Sequence, residues 1–293
     1  MKKVQLILTA LLFISCEYAP REVEILEHPA HEIGYKTCIM GDSGTGKLGQ
    51  GYVAEALKEE GCDSVRITGD LVYKNGLSDE NDPSFYSHFY DYYGEMIENG
   101  TPFILTLGNH DYHKNPGAWL FLNDRHENII FPNYWYAQRY GDVCYLNLDT
   151  NITYLKEHRK WLKKTMREFK ETCRFIFSIA HHPIKSSGKH GDAKFFNKWY
   201  FKKYITGKVS AHFGGHDHHL SYEGQEKGTH MYVTGAGGKL RPVKEVKLPK
   251  FAISKLGYIT MTYQGDSFKV SLIGVNENSE REVLFTNTIH SNK

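Results

Sequence analysis

Hydrophobic positions in this chain come in short runs, and the runs repeatedly stop at clusters of Gly, Asp, Asn or His. Residues 35–40, 64–68 and 102–107 are such runs, bounded by turn residues, and they read as strands. Between the first two, residues 48–59 place Val53, Ala56 and Leu57 on one helical face, with Gly61 as a stop. Residues 74–83 form a polar loop. Residues 85–97 carry aromatic side chains at helical spacing, which fits a packed core better than a binding stripe. Strand–helix–strand alternation predicts an α/β arrangement.

Further along, residues 134–140 and 143–148 read as strands around the turn Gly141-Asp142. Residues 155–169 predict a helix that buries Leu155, Leu162, Met166 and Phe169. It exposes Lys156, Arg159, Lys160, Lys163, Lys164 and Arg167, a solvated face with an anionic lipid surface as the alternative. Strands follow at 174–179 and 209–213, then at 231–234, 258–263 and 268–273. No internal repeat, low-complexity tract or domain boundary interrupts the pattern. Residues 35–293 are therefore expected to form one domain, and residues 17–34, polar with Pro20 and Pro29, a linker and lead-in.

Five run-ends carry chemistry. They are Gly41-Asp42-Ser43-Gly44, Gly69-Asp70-Leu71-Val72-Tyr73, Gly108-Asn109-His110-Asp111, Ala180-His181-His182-Pro183 and Gly215-His216-Asp217-His218. Ligands of open α/β sheets bind outside the carboxyl ends of strands, so stretches far apart in sequence can converge. Asp42, Asp70, Asn109, His181, His216 and His218 supply more oxygen and nitrogen donors than one tetrahedral ion needs. They suit two ions bridged by one carboxylate, the arrangement used for hydrolytic displacement. Taken singly, an Asp after Gly is often only a turn or a helix cap.

Together these residues resemble the calcineurin-like metallophosphoesterases, and within them the purple acid phosphatases of the small tartrate-resistant type. The wider superfamily opens with Asp-x-His, but Gly44 stands where that His would be. The purple type instead supplies a Tyr three residues after the bridging Asp, where this chain has Tyr73 after Asp70. His181 begins a His-x-Pro stretch, and His190 falls where that type carries a substrate-facing His followed by Gly. The run Gly215-His216-Asp217-His218-His219-Leu220-Ser221-Tyr222 resembles its closing motif, and Gly235-Ala236-Gly237-Gly238 a later glycine turn. The resemblance spans roughly residues 36–275. It implies a four-layer α/β/β/α sandwich of two packed mixed β-sheets flanked by helices, and an acid phosphatase acting on phosphate monoesters.

Charge counting divides the donors. Asp42, Tyr73 and His218, sharing Asp70, form a hard anionic set suited to Fe(III). Asn109, His181 and His216, sharing Asp70, are neutral apart from the bridge and suit a divalent ion such as Fe, Zn or Mn. A trivalent ion lowers the pKa of bound water strongly, which provides hydroxide at mildly acidic pH. His110 and His190 are left to contact phosphate oxygens or to protonate the leaving group. His182 and His219 read as supporting residues, and Asp111 as a turn residue or a partner of His110.

Three rival readings remain at this point. Gly41-Asp42-Ser43-Gly44-Thr45-Gly46-Lys47-Leu48 nearly matches a phosphate-cradling P-loop of an NTP-binding protein, with Leu48 in place of the Mg²⁺-holding Ser or Thr. A phosphodiesterase or nucleotidase would use the same metal pair. A non-catalytic surface lipoprotein that binds a phosphorylated ligand would keep the fold but would be expected to have lost donors.

Composition adds less. The chain has 293 residues, 40% hydrophobic and 24% charged, with a net charge of +2, and nothing in this balance calls for nucleic acid. A monomer acting on a small phosphorylated substrate is the expectation. Sixteen histidines are an excess that favours a metal site. Lys2, Lys3 and the short apolar run 4–14 read as a signal peptide over residues 1–16. Phe13-Ile14-Ser15-Cys16 resembles the bacterial lipoprotein box, with Phe13 where Leu is usual, so Cys16 is the expected lipidation site. An exported protein, periplasmic or on the cell surface and tied to the membrane through Cys16, follows. Cys38, Cys62, Cys144 and Cys173 could pair in an exported protein, but they have no C-x-x-C spacing and, in a chain large enough to need no staples, read as buried free thiols.

Overall fold

The computed structural model describes residues 20, 21, 25–247 and 250–291. Cys16 and the signal segment lie outside them. Among the described residues no helix is long and apolar enough to cross a membrane.

Two mixed sheets carry the fold. In one, the order is β15 (Arg281–His290), β14 (Ser267–Val275), β13 (Gly257–Tyr263), β2 (Lys36–Met40), β3 (Ser64–Ile67), β4 (Phe103–Leu105) and β5 (Ile129–Ile130). In the other it is β1 (Leu26–His28), β6 (Tyr136–Tyr140), β7 (Val143–Leu148), β8 (Phe175–Ala180), β9 (Ala211–Gly214), β11 (Thr229–Thr234), β10 (Leu220–Glu226) and β12 (Phe251–Ile253). Strands β2, β3 and β4 run parallel, as do β7, β8 and β9.

These central strands are buried on both faces, which is why they read as continuous apolar runs rather than alternating ones. Their side chains nevertheless alternate between two cores. Ile39 packs with Phe177, Phe213 and Ile259 in the core between the sheets. Cys38 and Met40 turn the other way, onto α1 (Leu48–Glu60), α2 (Asp91–Glu98) and α3 (Ala118–Arg125), with Val53, Leu57, Tyr93 and Trp119. On the far side Cys144, Leu146 and Ile176 meet α4 (Lys156–Thr172) and α5 (Phe195–Tyr204) through Leu162, Phe169 and Tyr200. The four-layer sandwich expected from the resemblance is present.

Three features depart from the sequence reading. Leu26–His28, within the stretch read as linker and lead-in, is a strand that pairs parallel to β6 at the sheet edge. The pattern also passed over α3, α5, β5, β10, β12 and β15. Strand β15 pairs with β14 on one side, and most of its residues are exposed or half-exposed, so they carry no core signal. The third departure corrects the free-thiol reading: Cys38 pairs with Cys62 and Cys144 with Cys173, at Cα separations of 5.9 and 6.0 Å. Each bond ties the C-terminal end of a helix (α1 or α4) to the strand beneath it, a proximity invisible in linear spacing.

These staples close chain segments of 24 and 29 residues. Each is expected to stabilise the fold by about 3 kcal/mol by restricting the unfolded chain. Paired Cys→Ser variants should therefore unfold at distinctly lower denaturant concentration than the oxidised protein. An unchanged midpoint would contradict a stabilising role.

Candidate metal centre

The C-terminal ends of β2, β3 and β4 face those of β8 and β9 across the seam between the sheets. The turns there are backbone-strained. Asp42, Asp70 and His216 adopt φ of 57°, 54° and 68°, the left-handed region that non-glycine residues rarely occupy. Neighbouring glycines permit the close approach: a Cβ on Gly108 would stand 2.1 Å from Asp70 Oδ1. Asp111 holds the turns in place. Its carboxylate accepts the backbone N–H groups of Leu71, Val72 and Gly108 at 3.0, 3.2 and 2.8 Å. It is thus neither a free turn residue nor a partner of His110.

All the residues that the motifs nominate as metal donors converge here, in two groups. In the first, the Tyr73 hydroxyl lies 2.9 Å from Asp42 Oδ1 and 2.7 Å from Asp70 Oδ2. His218 Nε2 is 3.4 Å from the same hydroxyl and 3.3 Å from Asp42 Oδ1. In the second, Asn109 Oδ1 lies 3.0 Å from both His181 Nε2 and His216 Nδ1, which are 3.2 Å apart. Asp70 Oδ1 reaches this group at 3.6 Å from His181 Nε2. Donor atoms of Asp42, Asp70 and His181 all lie within 4.8 Å of one another.

The donor chemistry fits cations. One phenol proton faces two carboxylates and can satisfy only one of them. His181 Nδ1 lies 2.9 Å from the Thr68 carbonyl, so it is the protonated nitrogen and its N–H donates there. Whenever His181 is neutral, Nε2 turns a lone pair toward Asn109 Oδ1, and the two need a positive charge between them, either a proton or a bound cation. Burial pulls His181 down, yet the charges of Asp70 and Asp42 outweigh it and its pKa is raised. Burial and the same two carboxylates drive Tyr73 well above the usual phenol range. That field would invert on cation binding, since a bound ion favours the phenolate. The site would take two ions: Asp42, Tyr73 and His218 on one side, Asn109, His181 and His216 on the other, and Asp70 between.

Around the donors stand groups with other work. The His110 backbone N–H donates to Asp70 Oδ1 at 3.0 Å, and its Nδ1 lies 2.6 Å from the Lys74 carbonyl. Its ring lies 4.6 Å from that of Tyr73. The His190 ring packs 4.3 Å from that of His216, and its backbone N–H is held by Asp217 at 2.9 Å. Burial lowers the His190 pKa, and Arg241 adds to the effect against the pull of Asp217. His182 bonds Thr150, and His219 bonds Ser221, as supporting residues. Two residues escaped the motif reading. Arg241 Nη1 donates to His190 Nε2 at 2.9 Å, and Lys239 Nζ sits 3.3 Å from the centre of the Tyr73 ring. Their sequence signal was slight, a Lys-x-Arg directly after the Gly235–Gly238 turn.

Comparison with known proteins settles the family. The profile of the calcineurin-like phosphoesterases matches residues 39–220. The chain belongs to that family. Tartrate-resistant acid phosphatase type 5 of Sus scrofa is 26% identical over 218 residues, 66% of this chain but 64% of that protein's length. Purple acid phosphatase 7 of Arabidopsis thaliana is 26% identical over 271 residues, 78% of this chain and 80% of that protein. Among solved structures, GAP50, the anchor in the inner membrane complex of Plasmodium, superposes with a TM-score of 0.76 at 20% identity, covering 89% of this chain and 90% of that one. The purple acid phosphatase PPD1 of yellow lupin gives 0.67 at 18% identity, covering 90% and 55%. A dimetal phosphatase of Danio rerio gives 0.57 at 12% identity, covering 89% and 100%.

In this calcineurin-like chain the P-loop reading fails on backbone hydrogen bonds. A phosphate cradle needs free N–H groups. Those of Gly44, Thr45 and Gly46 are already given to the Asp70 carbonyl, the Ser43 carbonyl and Gln50 Oε1.

Asp111 yields a prediction. Asp111→Ala leaves buried N–H groups of three residues without an acceptor, which should cost about 1–3 kcal/mol. It should also loosen the turns that carry Asp70 and Asn109. Denaturant unfolding together with elemental analysis should find lower stability and less retained metal. Wild-type values for both would contradict the role.

Proposed function

We propose that the protein is a binuclear-metal acid phosphatase that hydrolyses phosphate monoesters. The observation that carries this reading is the meeting of two donor sets, one anionic and one neutral, at the single carboxylate of Asp70. When bound, a trivalent and a divalent ion supply charge neutralisation for the phosphoryl oxygens and activate water as nucleophile at mildly acidic pH.

The chain's own residues position the ester. Asn109, His181 and His216 bring no charge of their own, so they leave the second position electrophilic toward the substrate. His110, anchored through Nδ1 to the Lys74 carbonyl, has its Nε2 to offer to a phosphoryl oxygen. His190 holds the other flank, and Asp217 fixes its loop to the turn that carries His216 and His218. The leaving alkoxide takes a proton as the P–O bond breaks, and we assign that donation to His110, because the Nε2 lone pair of His190 already accepts from Arg241. Relatives named as acid phosphatases support the reaction class, and the named dimetal phosphatase supports the ion count.

The test combines elemental analysis of protein purified without chelator with phosphate release from an aryl monoester across pH. Iron plus a second ion and an acidic optimum are expected. One ion or fewer in fully active protein, or faster turnover of an aryl diester, would overturn the reading. A sharper arm is the visible spectrum. Iron-loaded wild type should show a ferric–phenolate charge-transfer band and a purple or pink colour. Tyr73→Phe should lose the band and keep the fold, because the ring's packing survives. A band retained in the variant would remove Tyr73 from the donor set.

We further infer export and attachment through Cys16. The two disulfides support an oxidising compartment independently of the N-terminal motif. Metabolic labelling with a fatty acid should mark the wild type and not Cys16→Ser in a bacterial host. Unlabelled wild-type protein would exclude the anchor.

A further inference from the structure

After the Gly235–Gly238 turn the chain runs alongside the donor turns. The Arg241 backbone N–H donates to the His218 carbonyl, and that of Lys244 to the Ser187 carbonyl, both at 2.9 Å. The strip is thus stitched to the closing metal-donor turn and to the loop that carries His190. This fixes where its two half-buried cations sit. Lys239 lies on the face of Tyr73, and Arg241 lies against His190.

Neither cation makes an ion pair with a carboxylate among the described residues. Burial pulls the Lys239 pKa down, and the nearby charges of Arg241 and Lys47 push the same way against the attraction of Asp42 and Asp70. Lys189 adds a further positive charge beside His190. Lys239 thus feels the donor carboxylates without touching them, and Arg241 and Lys189 extend the positive charge along the His190 side. Bound metal ions would add to it.

Arg241 reaches the donors only through His190, whereas Lys239 lies on the ring of Tyr73 itself. The His190 ring lies 4.3 Å from that of His216, tilted against it, and Arg241 Nη1 donates to the Nε2 of His190. A guanidinium has five N–H donors in a planar fork, and only one is used on His190. The remaining donors suit a phosphate or carboxylate.

We propose that Lys239 and Arg241 form a second anion subsite that selects phosphate esters whose leaving group carries its own phosphate or carboxylate. The subsite rests on the phosphatase reading above. It adds to that reading a substrate class, the polyanionic ester, together with steering of such esters into the mouth.

A matched pair of substrates isolates the second charge: 4-carboxyphenyl phosphate and its neutral isostere 4-carbamoylphenyl phosphate. The metal-loaded wild type should favour the carboxylate by about tenfold or more in kcat/KM at low ionic strength, the range of a charge-assisted hydrogen bond. Added salt should shrink that preference. Lys239→Met with Arg241→Gln should bring the ratio close to one, and Arg241→Lys should recover part of it. No preference in the wild type would overturn the proposal. So would an equal loss on both esters, which would place these residues on the transferred phosphoryl. If the metal-loaded protein hydrolyses neither ester, the phosphatase reading fails by itself. Calorimetry with inorganic pyrophosphate against inorganic phosphate then tests the subsite. Tighter pyrophosphate binding that is lost in the double variant supports it, and the same ratio in both proteins overturns it.

Discussion

Two carboxylates buried side by side set the terms for the rest of this molecule. Asp42 and Asp70 are 0% and 1% exposed, and their oxygens meet across one phenol that has a single proton to give. Burying one unpaired ion costs several kcal/mol, and two like charges compound it. The histidines that surround them answer only part of the field. The remainder calls for cations, and the strained φ angles of Asp42, Asp70 and His216 are tolerable because the fold over-determines them. Asp111 shows the same logic one step out. Burial and the Asp70 charge push its pKa up to about 7, while backbone N–H groups pull it down. A cation on Asp70 would relieve that repulsion and strengthen the clamp that holds the turns.

The two sheets contribute unlike halves. Strands β2, β3 and β4 deliver the oxygen donors Asp42, Asp70, Tyr73 and Asn109. Strands β8 and β9 deliver the nitrogen donors His181, His216 and His218. The width of the seam between them is fixed by Ile39, Phe177, Phe213 and Ile259, which fill the space between the sheets. Hydrogen bonds cross that seam directly, among them those from the His216 backbone N–H to Asp42 Oδ2 at 2.7 Å and from His181 Nδ1 to the Thr68 carbonyl at 2.9 Å. Packing density in the core is therefore coupled to donor geometry. A close-packed interior resists even a small change of volume, and so the separation of the two donor sets is held stiffly.

What could be read from the sequence was what is local. Each donor sits in a short motif at the end of an apolar run, and strand ends converge in this class of fold, so residues 41 to 218 could be brought together on paper. Lys239 and Arg241 could not. Their positions depend on a hydrogen bond from Arg241 to the His218 carbonyl and on the ring of Tyr73, contacts that no spacing rule encodes. The cysteines were misread for a related reason. Chain size argued that staples were unnecessary, whereas the stacking of α1 on β2 and of α4 on β7 puts each pair in reach. Asp111 lay inside a motif already noticed, but its partners Leu71 and Val72 belong to another turn, and only the fold supplies them.

Gly44 and Tyr73 entered as a paired change from the wider family pattern, a missing histidine and a tyrosine that stands in for it. In the structure they are one steric choice. The turn at Gly44 presses so closely on the next turn that a Cβ there would stand 1.8 Å from the Leu71 carbonyl oxygen. No side chain can occupy that position while the turns touch. The same contact is closed by the Tyr73 N–H, which donates to the Gly44 carbonyl at 2.7 Å and brings the phenol in over Asp42 and Asp70. A histidine at position 44 would have to part the two turns, breaking that hydrogen bond and withdrawing Tyr73. The glycine therefore does more than leave a gap that tyrosine happens to fill. It creates the close approach through which the tyrosine arrives, and the anionic character of the first donor set follows from it.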